Sequence, residues 1–134
     1  MQAVNNAGFT ALMWSAQNGH DGCLRQLLAA KANLEAANNN ASTALIISAI
    51  KGHDGCLRQL LEAKANLEAA NNTGFTALMW SAHKGHDGCL RQLLEAKPDV
   101  EAANKQGNTA LKLAELKKHS KCVELLQKAA AVQP

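Results

Sequence analysis

The stretch Asn71-Asn72-Thr73-Gly74-Phe75-Thr76-Ala77-Leu78-Met79-Trp80-Ser81-Ala82-His83-Lys84-Gly85-His86 sets the architecture, because residues 5–20 are a near copy of it. Residues 5–37 match residues 71–103 at about 26 of 33 positions. Thr10, Thr43, Thr76 and Thr109 are 33 residues apart, and each is followed by Ala-Leu. Gly19-His20, Gly52-His53 and Gly85-His86 keep the same interval, as do Cys23, Cys56, Cys89 and Cys122. A fixed period of roughly 20 to 50 residues marks a stack of small units, none able to bury its apolar face alone.

Each unit reads as helix, turn, helix and an extended finger. Thr10 suits an N-cap, with Ala11–Gln17 as a short first helix. Asn18-Gly19 ends it, Gly19 being suited to a left-handed conformation. Asp21 is expected to cap a second helix, in which Leu24, Leu27 and Leu28 form an apolar stripe. Asp21 and Arg25, Asp54 and Arg58, and Asp87 and Arg91 lie one helical turn apart, each pair adding a few tenths of a kcal/mol at most. Leu34–Asn40 fits an extended arm with a polar hairpin tip.

With these residues in place, the chain resembles the ankyrin-repeat family over nearly its whole length. That family's repeat has 33 residues and reads roughly Asp-x-x-Gly-x-Thr-Pro-Leu-His-x-Ala-Ala-x-x-Gly-His, then a Leu-rich helix, then Gly-Ala-Asp-Val-Asn. The stretch quoted above, followed by Cys89-Leu90-Arg91-Gln92-Leu93-Leu94 and Lys97-Pro98-Asp99-Val100-Glu101-Ala102, follows it closely. The resemblance implies an all-α ankyrin-repeat solenoid of four stacked helix-turn-helix repeats with β-hairpin or loop fingers. The repeats would cover residues 5–37, 38–70, 71–103 and 104–134 of a single domain, the last acting as C-terminal cap.

There are departures. Ala11, Ala44, Ala77 and Ala110 replace the family's Pro, and Met13, Ile46, Met79 and Lys112 replace its His. Lys31, Lys64 and Lys97 replace the Gly that ends the second helix, at roughly 1 kcal/mol each if they remain left-handed. Trp14 and Trp80 stand where the family usually has Leu. A Trp so near the start of a short apolar helix is expected to pack into the core against the next repeat.

Composition agrees with closely packed helices. Apolar residues make up 47% of the 134 and aromatics only 3%, with no Tyr, so Ala and Leu must supply most buried surface. The formal charge of +3 is too small to argue for nucleic acid. Residues 104–134 carry six Lys against Glu115 and Glu124, which reads as a solvated end. The N-terminal residues show no secretory signal, and no run approaches the roughly 18 apolar residues of a membrane span. The expectation is a cytoplasmic protein, with the nucleus as second choice.

The four Cys do not read as a metal or disulfide framework. Neighbouring helices pack about 10 Å apart, beyond the roughly 7 Å reach of a disulfide, and no C-x-x-C pair occurs. Buried structural thiols are expected. The runs His20–Cys23, His53–Cys56 and His86–Cys89 place His near Cys, as a nucleophile and base would be. Catalysis needs one site, so three copies argue that each His fills a turn and touches the adjoining repeat. No P-loop, HExxH or GxSxG motif occurs. No enzymatic activity, cofactor, metal or small-molecule substrate is expected.

Positions alike in every repeat serve the scaffold, and positions that differ are free to serve a ligand. By resemblance, a concave face of finger tips and first helices would bind a partner protein. The candidates are Asn6, Ala7, Phe9, Gln17, Asn39, Asn40, Ser42, Ile50, Lys51, Asn72, Thr73, Phe75, His83, Lys84, Lys105 and Gln106. Phe9, Phe75 and Ile50 among Asn and Lys give the mixture of an interface hot spot. An alternative starts from the first repeat, a near copy of the third, which is expected to present Leu12, Leu24 and Leu27 partly to water. Self-association through that uncapped end, or a fragment or designed array without a dedicated ligand, would then follow.

Overall fold

Short-range chemistry sets the helix ends. The computed structural model describes residues 8–132, which form eight helices. In chain order these are α1 (Ala11–Asn18), α2 (Asp21–Ala29), α3 (Ala44–Lys51), α4 (Asp54–Glu62), α5 (Ala77–Lys84), α6 (Asp87–Glu95), α7 (Ala110–Leu116) and α8 (Ser120–Val132). Each first helix is capped by a threonine hydroxyl: Thr10, Thr43, Thr76 and Thr109 accept the N–H of Met13, Ile46, Met79 and Lys112 at 3.2, 3.4, 3.3 and 3.2 Å. Left-handed Gly19, Gly52 and Gly85 end α1, α3 and α5.

The pairs stack in two rows. First helices α1, α3, α5 and α7 pack side by side, and second helices α2, α4, α6 and α8 line up behind them. One apolar core runs through the stack, from Leu12 and Leu24 through Ile46, Leu57, Met79 and Leu90 to Leu113 and Leu126. Leu12 is 2% exposed and Leu24 is fully buried, so they do not form the wet apolar end expected of the first repeat; only Leu27 is half-exposed. Both lie within the helix pair itself and its contact with the second repeat, and that is enough to exclude water from them.

The fingers are tight turns joined by single bridges. The N–H groups of Asn38, Asn71 and Asn104 donate to the carbonyls of Ser42, Phe75 and Asn108 at 2.9–3.0 Å, and isolated antiparallel bridges link Ala70 with Thr76 and Ala103 with Thr109. Among the described residues no longer strand forms. The Oδ1 atoms of Asn38, Asn71 and Asn104 each accept two or more backbone N–H groups within their own turn. Lys31, Lys64 and Lys97 are left-handed, with φ of 66°, 71° and 61°, so the roughly 1 kcal/mol penalty applies to each. Ala41 (φ 65°) and Lys118 (φ 60°) add two more, at positions where sister repeats have Gly.

The His-Asp-Gly-Cys runs stitch each repeat to the one before. The Nε2–H of His53, His86 and His119 donates to the carbonyl of Gln17, Ile50 and His83 at 3.0, 3.0 and 3.1 Å. Asp21 is not a cap: His20 holds that place without a side-chain bond, and Asp21 is the first helical residue. Its carboxylate accepts the thiol of Cys56 at 3.1 Å, and Asp54 accepts that of Cys89 at 3.0 Å. A Cβ at Gly55 or Gly88 would collide with these carboxylates, which explains the small residue there. Of the expected Asp–Arg pairs, Arg91 and Asp87 meet at 3.6 Å in an exposed ion pair of little weight.

Cys56, Cys89 and Cys122 are buried as expected, but Cys23 is exposed: among the described residues none takes the place beside it that Asp21 and Asp54 take beside Cys56 and Cys89. Burial, the Asp21 hydrogen bond and the Asp21 charge push the Cys56 thiol up to about 12. Burial and Asp54 raise Cys89 in the same way, and burial with Asp87 raises Cys122. Labelling the folded protein with a thiol reagent at neutral pH is therefore expected to consume one fast equivalent, from Cys23. Three more should appear only on denaturation; a second fast equivalent would contradict the packing of Cys56, Cys89 and Cys122.

Candidate partner-binding face

The exposed edge of each first helix is a stripe at i, i+3 and i+4. In α1 this edge carries Trp14, Gln17 and Asn18; in α5 it carries Trp80, His83 and Lys84. Trp14 is 45% exposed and Trp80 half-buried, so neither is the core residue expected from its place in a short apolar helix. Both share a stripe with positions that vary between repeats, and that spacing is the signal by which they are recognisable.

Around Trp80 the structure gathers an aromatic cluster. The Phe75 and Trp80 rings lie 4.5 Å apart at 32°. His83 meets Phe75 and Trp80 edge-on at 5.8 and 5.6 Å. The Lys84 ammonium lies 5.8 Å from the Trp80 ring centre, within cation–π range. The first repeat has only a partial copy, with Phe9 and Trp14 5.3 Å apart and Gln17 in place of His83. Two buried polar atoms in the larger cluster, Trp80 Nε1 and His83 Nδ1, have no hydrogen-bond partner, a cost of about 1–3 kcal/mol for each such group. Burial, followed by the charges of Lys117, Lys84 and His119, lowers the His83 pKa.

The other candidates divide by accessibility. Phe9, Gln17, Ile50, Phe75 and His83 are half-buried, with their side chains on the helix edge or beside it. Lys51, Lys84 and Lys105 are exposed, as are Asn39, Asn40, Asn72, Thr73 and Gln106 at the finger tips. Those tips are partly occupied by one another. Asn72 donates its backbone N–H to Asn40 and its side-chain amide to Asn39, and Lys105 donates its backbone N–H to Thr73. Ser42 is only 5% exposed and drops out of any accessible face, because its backbone closes the finger turn on Asn38. Asn6 and Ala7 lie outside the described residues.

Sequence reasoning missed two features. His119 follows Lys118 rather than Gly, which hides the Gly-His pair, although the 33-residue spacing from His86 marks it. Glu35 and Glu68 reach across repeats to accept the backbone N–H of Asn66 and Asp99 at 2.9 and 3.0 Å. Comparison of the repeats does pick out Leu116, at the position of Gln17, Ile50 and His83, and it is 59% exposed.

Among the described residues no group of His, Cys, Asp and Glu is arranged to hold a metal ion, and no helix is long and apolar enough to cross a membrane. Comparison with known proteins agrees with the repeat architecture. The family model for ankyrin repeats, which spans three copies, matches residues 1–71 and again residues 63–133. No curated protein matches the chain. Ankyrin repeats are in general protein–protein interaction modules and are typically non-catalytic. With its 33-residue period, paired helices, finger turns and this match along nearly all of its length, the chain belongs to the ankyrin-repeat family.

Proposed function

We propose that this chain captures a partner protein on the concave face formed by its first helices and finger tips. The observation that carries the reading is the Phe75, Trp80, His83 and Lys84 cluster. It lies on the solvent edge of α5, at positions that differ from repeat to repeat, and it holds unpaired polar atoms that a purely structural stack has no reason to keep. Large, rigid rings with a cation beside them are the usual centre of a binding interface. The reading takes residues 1–134 as one binding unit, with the fourth repeat closing the stack. It is a binder's site and not an enzyme's, since the raised thiols are the reverse of activated nucleophiles. Three buried reduced thiols also suit the cytoplasm.

The test is the double variant Phe9→Ser/Phe75→Ser against a partner isolated with the natural chain. Affinity is expected to fall at least about tenfold, the loss of roughly 1.4 kcal/mol that a modest hot spot supplies. The variant should still melt cooperatively. Unchanged affinity would end the proposal.

A further inference from the structure

The charges of this chain are sorted by face. Of its 11 acidic residues, all but Glu115 lie in the second helices or in the loops that follow them. None lies in α1, α3, α5 or the finger tips. The ends of successive first helices carry Lys51, Lys84 and Lys117, each exposed. Helix C-termini favour a cation, which accounts for lysine at one such end but not for the absence of carboxylates from α1, α3, α5 and the finger tips. Beside the lysine row, one position earlier in each helix, run the half-buried Ile50 and His83 and the exposed Leu116.

We infer that the partner is an acidic segment of protein chain that also carries apolar side chains, laid along the stack so that its carboxylates meet Lys51, Lys84 and Lys117 while its apolar groups cover Ile50, Trp80 and Leu116. This rests on the proposed binding face and names its chemistry. Two rows side by side, one cationic and one apolar, match a chain that alternates acidic and apolar groups. The spacing fits an extended peptide: adjacent helices lie about 10 Å apart, and a polyproline-II segment repeats every three residues, about 9.3 Å. Nucleic acid also offers negative charge, but Ile50 and Leu116 give its bases no ring to stack on. Of the three row positions, one alone has a Trp beside it.

The experiment pans a display library of random 12-residue peptides on the full chain, then titrates the enriched peptides and a dT12 oligonucleotide in one buffer. Enriched peptides are expected to be net acidic, with at least one aliphatic or aromatic side chain, and to bind more tightly than dT12. The variant Lys51→Glu/Lys84→Glu/Lys117→Glu, altered only at exposed positions, should melt cooperatively at a somewhat lower temperature, since it places anions at helix C-termini, and lose at least about tenfold in affinity. Trp80→Leu should weaken the same peptides without loss of fold. A neutral or basic enriched pool, no enrichment at all, tighter binding of dT12, or indifference to the triple reversal would each overturn the inference. If basic or neutral peptides are enriched and still lose binding in Phe9→Ser/Phe75→Ser, the acidic assignment falls while the binding face survives. Peptide binding indifferent to that double variant removes the face itself, and the inference with it.

Discussion

Gly52→Ala is expected to destabilise the protein by about 3 kcal/mol, although it adds a single methyl group. Two costs combine. Gly52 sits at φ 73°, where an L-residue loses roughly 1–2 kcal/mol. Its new Cβ would also stand 2.7 Å from Nδ1 and 2.8 Å from Cε1 of His86. That ring cannot swing aside freely, because its Nε2–H is bound to the carbonyl of Ile50, two residues before Gly52. Gly107→Ala is the matched control: φ is 82°, but nothing lies within 4 Å of the added methyl. It should cost only the backbone term, about 1 kcal/mol. Denaturant unfolding of the two variants measures the difference. Equal losses would remove the histidine ladder as a determinant of stability.

The second large effect is alkaline instability. The Cys56 thiol, ordinarily near 9.0, is raised to about 12 by burial and by Asp21, and Cys89 and Cys122 are shifted the same way. Above pH 9 the unfolded chain gives up these protons while the folded protein keeps them. The unfolded state then binds fewer protons, so the stabilisation is complete below pH 9 and is lost as pH rises toward 12. By pH 10 the Cys56 contribution alone has fallen by roughly 1 kcal/mol. Serine retains a donor for Asp21 and Asp54 at positions 56 and 89 and titrates at none of the three. Cys56→Ser/Cys89→Ser/Cys122→Ser should be less stable at pH 7, yet much flatter between pH 8 and pH 10. An equally steep decline in the triple variant would assign the effect to other groups.

Much of the fold is legible in short-range chemistry. Thr-Ala-Leu marks a capped helix start because a hydroxyl meets an N–H three residues on, and Asn18-Gly19 marks its end because glycine turns left-handed cheaply. The left-handed lysines follow from their place in the period, and so does the polar fourth repeat. The candidate face was legible only in outline. Comparing repeats picks out Phe75, His83 and Lys84, but the same comparison sets Trp14 and Trp80 aside, since a large apolar residue in a short helix looks like core.

The period, the helix limits, the threonine caps and the set of positions free to vary follow from local pattern in the chain. The stack decided what became of identical residues. Cys23 and Cys56 lie in the same local sequence, Asp-Gly-Cys-Leu-Arg, yet one is exposed and the other donates a buried thiol to Asp21. Asp21 reads locally as a helix cap and serves instead as the acceptor of the next repeat. Caps and turns depend on atoms three or four residues away, which the sequence places beside one another. Burial and the His, Cys and Glu bridges depend on atoms 31 to 41 residues away, which only the packing of one repeat on the next brings within reach.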